Sequence, residues 1–460
     1  MGETVSLFAP SFNGSVQVET RPDRTSSDAG ALAGREVLER SGVIDWLGDH
    51  LIDHRNPLLI QHSLSSQLRT IILQRVQGWI DQADTDDLRE DPVLALACSD
   101  RRGTTPLAQA RPSQPTLSRM AKAVAVETNR ALVHEGLLRL AAWRLRQEPQ
   151  RQRQVLTLDI DGLPIEVFGE QAGSAFNPYV GKRVYLPLIA SIAETGDLVG
   201  ALLREGQAGP AAEAGTWVPH LVARMRELGI CRQVQLRIDA GFTGGPTLAA
   251  LEAAKLRYVG RLTTNPVLER LAAPYLRRPP GRRPIEPREW THELAYQAES
   301  WKEPRRVVLV VQERPDDLFL HHFFLVTNFT ETRRSGDQLL ALYRRRGKAE
   351  AHMGELKSVL SPHLSCTCRG ASTSQAVFAR NEANLLLSIY AYQVMHAMRR
   401  GLERTTKQGF SLRRLRERYL KVAATVRVHA RRITVVISQS AAKLWQVMTR
   451  VLERMPVMVW

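Results

Sequence analysis

The sequence predicts an α/β fold built on a mixed sheet, and three observations lead to it. First, three β-type apolar runs follow one another closely, which predicts a three-stranded meander. Second, a segment with helical spacing leads to a fourth apolar run that ends in an Asp and a Gly turn. Third, a helix from about Pro246 leads to one more strand. The predicted strands are residues 155–161, 163–168, 183–192, 233–239 and 257–261, with a helix at 211–228. The resulting order, β-β-β-α-β-α-β, is typical of the ribonuclease H fold.

The rest of the chain divides by composition and periodicity. Residues 1–30 are rich in Ser, Thr, Asp and Gly without apolar period, which predicts a loose arm. Helical spacing follows, and three β-rich runs between residues 290 and 327 predict an inserted β block. We therefore expect, in order, a loose arm (1–30), a helical DNA-binding region (31–150), the first part of the core (151–261), a β-rich insertion (262–330), the last part of the core (331–398) and a basic helical region (399–460).

The charge balance points to a polyanionic partner. There are 63 Lys and Arg residues against 47 Asp and Glu, which leaves a net charge of +16. DNA or RNA is the commonest such partner, and an anionic membrane surface is the alternative. A membrane span is not expected, because no run of 18 apolar residues occurs. The N-terminus lacks the pattern of a signal peptide, and four cysteines favour a reducing compartment, so we expect a cytoplasmic protein.

Carboxylates stand at two predicted strand ends. Asp159 and Asp161 alternate with Leu158 and Ile160, so both carboxylates share one face of their strand. Two carboxylates in apolar surroundings are costly unless a cation meets them. Asp239 ends another apolar strand, and functional groups of α/β sheets gather at such ends. Each Asp also has a simpler interpretation as a turn residue.

A third carboxylate lies in the stretch from Tyr343 to Lys357. If this stretch is one helix, Tyr343, Arg346, Glu350 and Lys357 fall within a sector of about 60°. The alternative is a solvated surface helix with mixed charge. Together with Asp161 and Asp239, Glu350 would complete a set suited to phosphoryl transfer with two metal ions. Hard oxygen ligands favour Mg²⁺ or Mn²⁺ over zinc.

On these residues the chain resembles the bacterial insertion-sequence transposases of the DDE group that carry the signature Y-x2-R-x3-E-x6-K. Tyr343, Arg346, Glu350 and Lys357 match every position of it. The flanking likeness covers residues 88–92, 113–119, 156–161, 169–177, 185–188 and 237–242. The resemblance implies that Asp161 is the first catalytic Asp, with Asp159 as runner-up. The chain departs from the family pattern at Gly162-Leu163, where a hydroxyl residue is usual.

The resemblance further implies cut-and-paste transposition. The partners would be double-stranded DNA, both terminal inverted repeats and target, bound by a homodimer with two metal ions per site in the bacterial nucleoid. Tyr343, Arg346 and Lys357 would contact the scissile phosphate. An aromatic of the insertion, Trp290 or Trp301, would stack on a flipped base, although either can be a core residue. A domesticated or inactive relative, acting as a nuclease or a DNA-binding protein, is the alternative.

Two segments outside the core are candidates for DNA binding. Thr116, Ser118 and Arg119 stand in the first turn of a predicted helix, where they either read bases or simply cap the helix. Between Arg399 and Arg432 there are 12 Lys or Arg residues against two Glu. So one-sided a segment favours contact with phosphates. Its densest part carries Arg413, Arg414, Arg416 and Arg418.

Overall fold

The computed structural model describes residues 5–13, 15–20, 22–149, 154–281, 284–366 and 373–460, without the side chains of residues 5–7 and 348–350. The chain forms two compact units. One consists of residues 1–120 and 394–460, and the other of residues 121–393.

The N-terminal part of the first unit is mainly helical. Its helices are α1 (Gly30–Ser41), α2 (Val43–His50), α3 (Leu64–Gln77), α4 (Asp84–Asp87), α5 (Pro92–Cys98) and α6 (Gln114–Val124, which continues into the second unit). Gly42, with a φ of 65°, separates α1 from α2 within a single stretch of helical period. The predicted loose arm contains three short strands: β1 (Val5–Phe8), β2 (Val18–Thr20) and β3 (Thr25–Ser26).

The second unit contains one large sheet and one small sheet of three strands. Its strands are β4 (Val155–Gly162), β5 (Ile165–Glu166), β6 (Ala175–Asn177), β7 (Lys182–Tyr185), β8 (Leu188–Ile192), β9 (Leu198–Leu202), β10 (Gln233–Ile238), β11 (Arg257–Leu262), β12 (Arg288–Tyr296), β13 (Arg305–Glu313) and β14 (His321–Thr327). Its helices are α7 (Glu127–Leu145), α8 (Ala214–Glu227), α9 (Gly245–Ala253), α10 (Pro266–Ala272), α11 (Gly336–Arg344), α12 (Gly347–Glu355) and α13 (Ser374–Thr406, which continues into the first unit).

The strand order in the large sheet is β12-β13-β14-β11-β10-β4-β8-β9. Strands β4, β8 and β9 are antiparallel neighbours, whereas β4, β10 and β11 run parallel. Three antiparallel strands joined to parallel ones through the first strand are the arrangement of the ribonuclease H fold. The predicted fold class is confirmed.

The predicted meander is wrong in its membership. The run at 183–192 is two strands, because Pro187 lacks an amide hydrogen and separates β7 from β8. Strand β7 does not belong to the large sheet but pairs with β5 and β6 in a separate sheet of three strands. The third strand of the meander is instead β9, a short buried strand that the sequence did not reveal.

The insertion contains the three expected strands, and they extend the core sheet. Strand β14 pairs with β11, where Gly260 faces Val326, and β13 and β12 follow outward. Helix α11 covers this part of the sheet. Its buried Leu339, Leu340 and Leu342 pack in one cluster with side chains of β11, β13 and β14.

The C-terminal part of the chain is not wholly helical, contrary to expectation. It contains α14 (Leu412–Leu415), a π-helical turn (Arg416–Leu420), β15 (Ala424–His429), β16 (Arg432–Ile437) and α15 (Ala442–Glu453). Half-buried Ile433, Val435 and Ile437 alternate with exposed residues in β16, so its period is that of a strand. Within the described part of the chain, no helix combines the length and apolarity that crossing a bilayer requires.

Candidate active site

Two aspartates lie at the same edge of the large sheet. Asp161 is near the end of β4, and Asp239 directly follows the parallel neighbour β10. A backbone amide fixes one oxygen of each carboxylate. Asp161 Oδ1 accepts a hydrogen bond of 2.9 Å from the Gly162 amide, and Asp239 Oδ1 accepts one of 2.8 Å from the Gly241 amide. The main chain therefore fixes one oxygen of each carboxylate and leaves the Oδ2 atoms for another partner.

Arg346 joins the two aspartates. Its Nη2 atom donates to Asp161 Oδ2 at 2.7 Å and lies 3.7 Å from Asp239 Oδ2. Since both Oδ2 atoms lie within 3.7 Å of one nitrogen, they are less than twice that distance apart. The guanidinium is mostly buried, with 14% of its side chain exposed. Positive charge is thus stabilised between these carboxylates.

Asp159 lies on the same strand face but has a different partner. Its two oxygens accept hydrogen bonds of 2.6 and 2.5 Å from Arg237, and both side chains are buried. Burial raises the pKa of the Asp159 carboxyl, and the guanidinium of Arg237 opposes that shift. Arg237 Nη1 also donates to the Leu342 carbonyl at 3.1 Å. This ion pair therefore fastens the end of α11 to the sheet, four residues before Arg346.

The stretch from Tyr343 to Lys357 is not the single regular helix that we expected. Helix α11 ends at Arg344, and α12 begins at Gly347. Between them the Arg346 amide bonds to the Tyr343 carbonyl at 2.9 Å, which closes a tighter turn than an α-helix has. A π-helical turn, Leu356–Leu360, then follows α12. A helical wheel drawn through the whole stretch therefore does not describe its side chains.

The other members of the signature occupy different surroundings. Tyr343 is half-buried against the cluster that α11 forms on the sheet. Burial raises the pKa of its phenol, so the hydroxyl stays protonated and can donate a hydrogen bond. Lys357 is exposed on the π-helical turn. The backbone of Glu350 lies on α12, one turn beyond Arg346, and its side chain is outside the described residues. Among the side chains that are described, no three His, Cys, Asp or Glu converge as a metal site would require.

A basic cleft of about 720 Å³ lies on the same face of the sheet. Its floor includes Thr157 and Gln235, which precede the aspartates on β4 and β10. Its wall carries Arg333, Arg334 and Arg345, of which Arg334 donates to Gln235 at 3.2 Å. Asp161 lies four positions beyond Thr157 on β4, which is about 13 Å, and the buried Asp159–Arg237 ion pair lies between them. Sequence reasoning missed this cleft, although three arginines flanking α11 were a visible signal.

With this geometry established, comparison with known proteins identifies the family. A sequence model of the family described as transposase DDE domain group 1 matches residues 8–459. The chain belongs to this family of DDE transposases. Members of the family generally use divalent metal ions.

Among solved structures, the chain is similar to one from the cryo-EM structure of the piggyBac transposase synaptic complex with hairpin DNA. The identity is 14% and the TM-score 0.43, with 86% of this chain and 80% of that chain covered. A comparison of this chain with curated proteins finds no match.

The proposed base-reading residues of the transposase lie on α6. Thr116 and Ser118 are half-buried, and Arg119 is exposed. Thr116 Oγ1 lies 3.1 Å from Ser113 Oγ and accepts from Arg119 at 3.3 Å. The Gln114 amide at the start of the helix donates to Asp86 at 3.2 Å. Thr116 thus takes part in a local polar network at the helix start, and base reading stays a prediction.

The four arginines of the densest basic segment differ in exposure. Arg413, Arg414 and Arg418 are exposed, as a surface that contacts phosphate requires. Arg416 instead donates to the carbonyls of Val76 and Arg75, at 3.1 and 3.0 Å, at the end of α3. Burial lowers the pKa of Arg416 to about 10. The structure gives Arg416 a role in capping a helix, because its donors are directed into the protein.

The two tryptophans of the insertion also differ. Trp301 is 4% exposed and packs edge-on against Tyr296, with the guanidinium of Arg305 over its ring. It lies in the core of the insertion, so in this structure it presents no face to a base. Trp290 is half-buried on β12, and Arg288 lies 6.0 Å from its ring centre. Of the two, only Trp290 is partly accessible.

Proposed function

We propose that this transposase binds the inverted repeats at the ends of its element, cleaves the DNA there and joins the freed 3′-hydroxyls to target DNA. One observation carries the proposal: Arg346 holds Asp161 and Asp239 together at the carboxyl edge of a ribonuclease H-like sheet. Glu350 stands one turn farther along the helix that Arg346 begins. The chain thus supplies an Asp-Asp-Glu set in the order that its family name denotes.

The donor set fits divalent metal ions. The Oδ2 atoms of Asp161 and Asp239 converge on one cationic group, so the site already favours positive charge at that point. Asp161, Asp239 and Glu350 would hold Mg²⁺ or Mn²⁺, two ions per site, through carboxylate oxygens. Asp159 is the less suitable ligand, because Arg237 occupies both of its oxygens. Bound ions would activate the attacking hydroxyl or water and neutralise charge on the leaving oxygen.

The remaining residues position the DNA. Arg333, Arg334 and Arg345 line a cleft on the same sheet face as the aspartates, and a phosphate backbone carries the matching charge. Tyr343 donates a hydrogen bond to the scissile phosphate, and Arg346 and Lys357 stabilise negative charge that develops on it. Trp290 is the candidate for stacking on a flipped base. Two ends must be held in one complex, so we infer a homodimer on DNA, acting in the cytoplasm of a bacterium.

The decisive experiment uses linear DNA with the inverted repeats that flank the coding sequence, a target plasmid and Mg²⁺. The intact chain should release ends at the repeat boundary and join them to the plasmid. Asp161→Asn and Asp239→Asn should bind the repeats and do neither. Arg232→Gln is a matched control, because Arg232 is exposed and precedes β10, at the opposite edge of the sheet.

Other results would favour the alternative functions. Cleavage without joining indicates a nuclease. Binding of the repeats without either reaction, at any divalent ion concentration, indicates a DNA-binding relative that has lost catalysis. Cleavage that persists in Asp161→Asn would remove Asp161 from the catalytic set.

A further inference from the structure

A β-hairpin that lies between β4 and β8 along the chain carries exposed aromatic and basic side chains. It consists of β6, β7 and the turn between them, residues 175–185, and we call it the Tyr179 hairpin. Tyr179 at its tip is 100% exposed and Phe176 is 64% exposed. Lys182 and Arg183 are exposed on β7. Single exposed apolar residues need no explanation, but two aromatics with two cations on one hairpin form the combination that binds nucleic acid strands.

The tip is ordered by its own hydrogen bonds. Asn177 Oδ1 accepts from the amides of Tyr179 and Val180, at 3.0 and 3.2 Å. The Gly181 amide donates to the Asn177 carbonyl at 2.8 Å, and Gly181 has a φ of 69°, which glycine adopts without strain. The turn therefore holds the Tyr179 backbone in place while its ring stays in solvent. A ligand would meet a pre-organised ring and would lose little binding energy in ordering it.

The base of the hairpin is fixed to the body of the unit. Tyr185 is buried, its hydroxyl accepts from Asn381 on α13 at 3.2 Å, and its ring packs edge-on against Phe378. A Cβ atom on Gly206 would lie 2.1 Å from the Val184 carbonyl oxygen, so another loop presses directly on β7. Because its base is fixed and its tip is exposed, the hairpin can insert an aromatic ring into DNA without being displaced.

The length of the chain limits how far the hairpin tip can lie from the neighbourhood of Asp161. Leu188, which follows β7 after two residues, pairs with Gly162, the neighbour of Asp161. Nine residues lead from Tyr179 to Leu188, so the tip lies at most about 30 Å from that pairing. At 3.4 Å per base step, this distance corresponds to at most about nine base pairs of duplex DNA.

We propose that the Tyr179 hairpin is a DNA wedge: Tyr179 stacks on a base that is unpaired next to the cleavage site, and Lys182 and Arg183 contact the adjoining phosphates. This inference rests on the proposed function for its substrate. Arg183 is already oriented by Ser174, to whose carbonyl and hydroxyl it donates at 3.0 and 3.1 Å. Lys182 pairs with Glu166 at 2.6 Å on the surface, a contact weak enough to exchange for a phosphate.

The test compares two DNA ligands with the intact chain in the absence of Mg²⁺. One is a blunt duplex that ends at the repeat boundary, and the other is the same duplex with three unpaired nucleotides there, labelled with 2-aminopurine. We expect Tyr179→Ala to weaken binding of the frayed DNA about tenfold or more, to leave the blunt duplex within about twofold, and to abolish the stacking-dependent change in fluorescence. Tyr179→Phe keeps the ring and should behave as the unchanged protein does.

The phosphate contacts have their own readout. Lys182→Ala and Arg183→Ala should each reduce the slope of log affinity against log salt by about one. Arg232→Ala, which removes an exposed charge at the opposite edge of the sheet, should leave the slope unchanged. If Lys182→Ala and Arg183→Ala have the same slope as Arg232→Ala and the unchanged protein, the proposed phosphate contacts are overturned.

Failure of the wedge and failure of the proposed function are separable, because cleavage is assayed independently with Mg²⁺. A chain that prefers frayed DNA through Tyr179 but never cleaves keeps the wedge and loses the catalytic proposal. The wedge is overturned if Tyr179→Ala binds both DNAs as before, or if the unchanged chain does not prefer frayed DNA. It is also overturned if Tyr179→Ala alters sedimentation of the protein without DNA, since the hairpin then contacts a second copy.

Discussion

Arg346 donates a hydrogen bond of 2.7 Å to Asp161, and the same nitrogen lies 3.7 Å from Asp239. Arg346 is also the residue that precedes α12, on which Glu350 lies one turn farther on. One side chain thus relates the two strand ends to the third element of the site. Its position depends on Arg237, which binds Asp159 and the carbonyl of Leu342 and so fixes the end of α11. Two arginines that bind carboxylates on one sheet face therefore position the candidate site.

Asp159→Asn and Asp161→Asn should fail in different ways. Asp159 belongs to a buried ion pair, and removing one charge of such a pair typically costs about 3–5 kcal/mol. We expect Asp159→Asn to lower the free energy of unfolding by about that amount in urea titrations. Asp161 is partly exposed, so its Asn variant should unfold like the unchanged chain and lose strand cleavage. Similar unfolding curves for the two variants would contradict the separate roles.

Arg346→Gln should make the protein more responsive to divalent ions. In the structure the guanidinium neutralises both carboxylates, so an ion must compete with it for the Oδ2 atoms. Without that charge, Mn²⁺ should raise the melting temperature more in the variant than in the unchanged chain. Cleavage should nevertheless fall about 10²–10³-fold, because a donor to the phosphate is lost. Asp161→Asn is the control, since it should abolish the response to Mn²⁺.

Much of the site follows from patterns that the sequence displays directly. Alternation on β4 correctly placed Asp159 and Asp161 on one face, and the parallel order of β4 and β10 brought Asp161 and Asp239 to one edge. What alternation cannot give is the partner of each carboxylate. Arg237 stands two residues before Asp239, so it shares that face, yet only the register of β10 against β4 places it opposite Asp159.

The errors of the sequence analysis have local physical causes. The regular helix expected from Tyr343 to Lys357 is interrupted by a tight turn and a π-helical turn. Neither interruption can be recognised from the spacing of residues in the sequence. Arginine density between Arg399 and Arg432 predicted one basic surface, yet Arg416 is directed inward. Charge alone does not distinguish a side chain that caps a helix from one that meets DNA. That distinction requires the end of α3, more than 300 residues away.

The basic segment offers a matched test of that distinction. Arg416→Gln should lower the free energy of unfolding by about 1–3 kcal/mol, because charged hydrogen bonds to the Val76 and Arg75 carbonyls are lost. The salt dependence of DNA binding should be the same for this variant as for the unchanged chain. Arg418→Gln should do the reverse, with normal unfolding and a slope of log affinity against log salt smaller by about one. A smaller slope of log affinity against log salt in Arg416→Gln would instead indicate that Arg416 contacts DNA.

Base reading by α6 is tested with specific and random DNA. Arg119 is exposed, whereas Thr116 belongs to a polar network at the helix start. If the helix reads bases, Arg119→Ala with Ser118→Ala should reduce the preference for the inverted repeat over random DNA about tenfold or more. Affinity for random DNA should change little, since phosphate contacts elsewhere remain. An equal loss of affinity for both DNAs would instead indicate that these residues contact the DNA backbone and not the bases.

Lys357→Met should separate charge from packing at the end of the signature. Lys357 is exposed on the π-helical turn that follows α12, and turns of this kind occur often at functional sites. Met keeps most of the apolar stem and removes the ammonium group. We expect a protein of nearly unchanged melting temperature that binds the repeats but cleaves or joins them about 10²–10³-fold more slowly, because a cation beside the transferring phosphate is lost. Lys357→Arg keeps the charge and should retain more of the rate than Met does. Normal strand transfer by the Met variant would assign Lys357 to the solvated surface, and failure of that variant to fold would give Lys357 a structural role; either result contradicts the prediction.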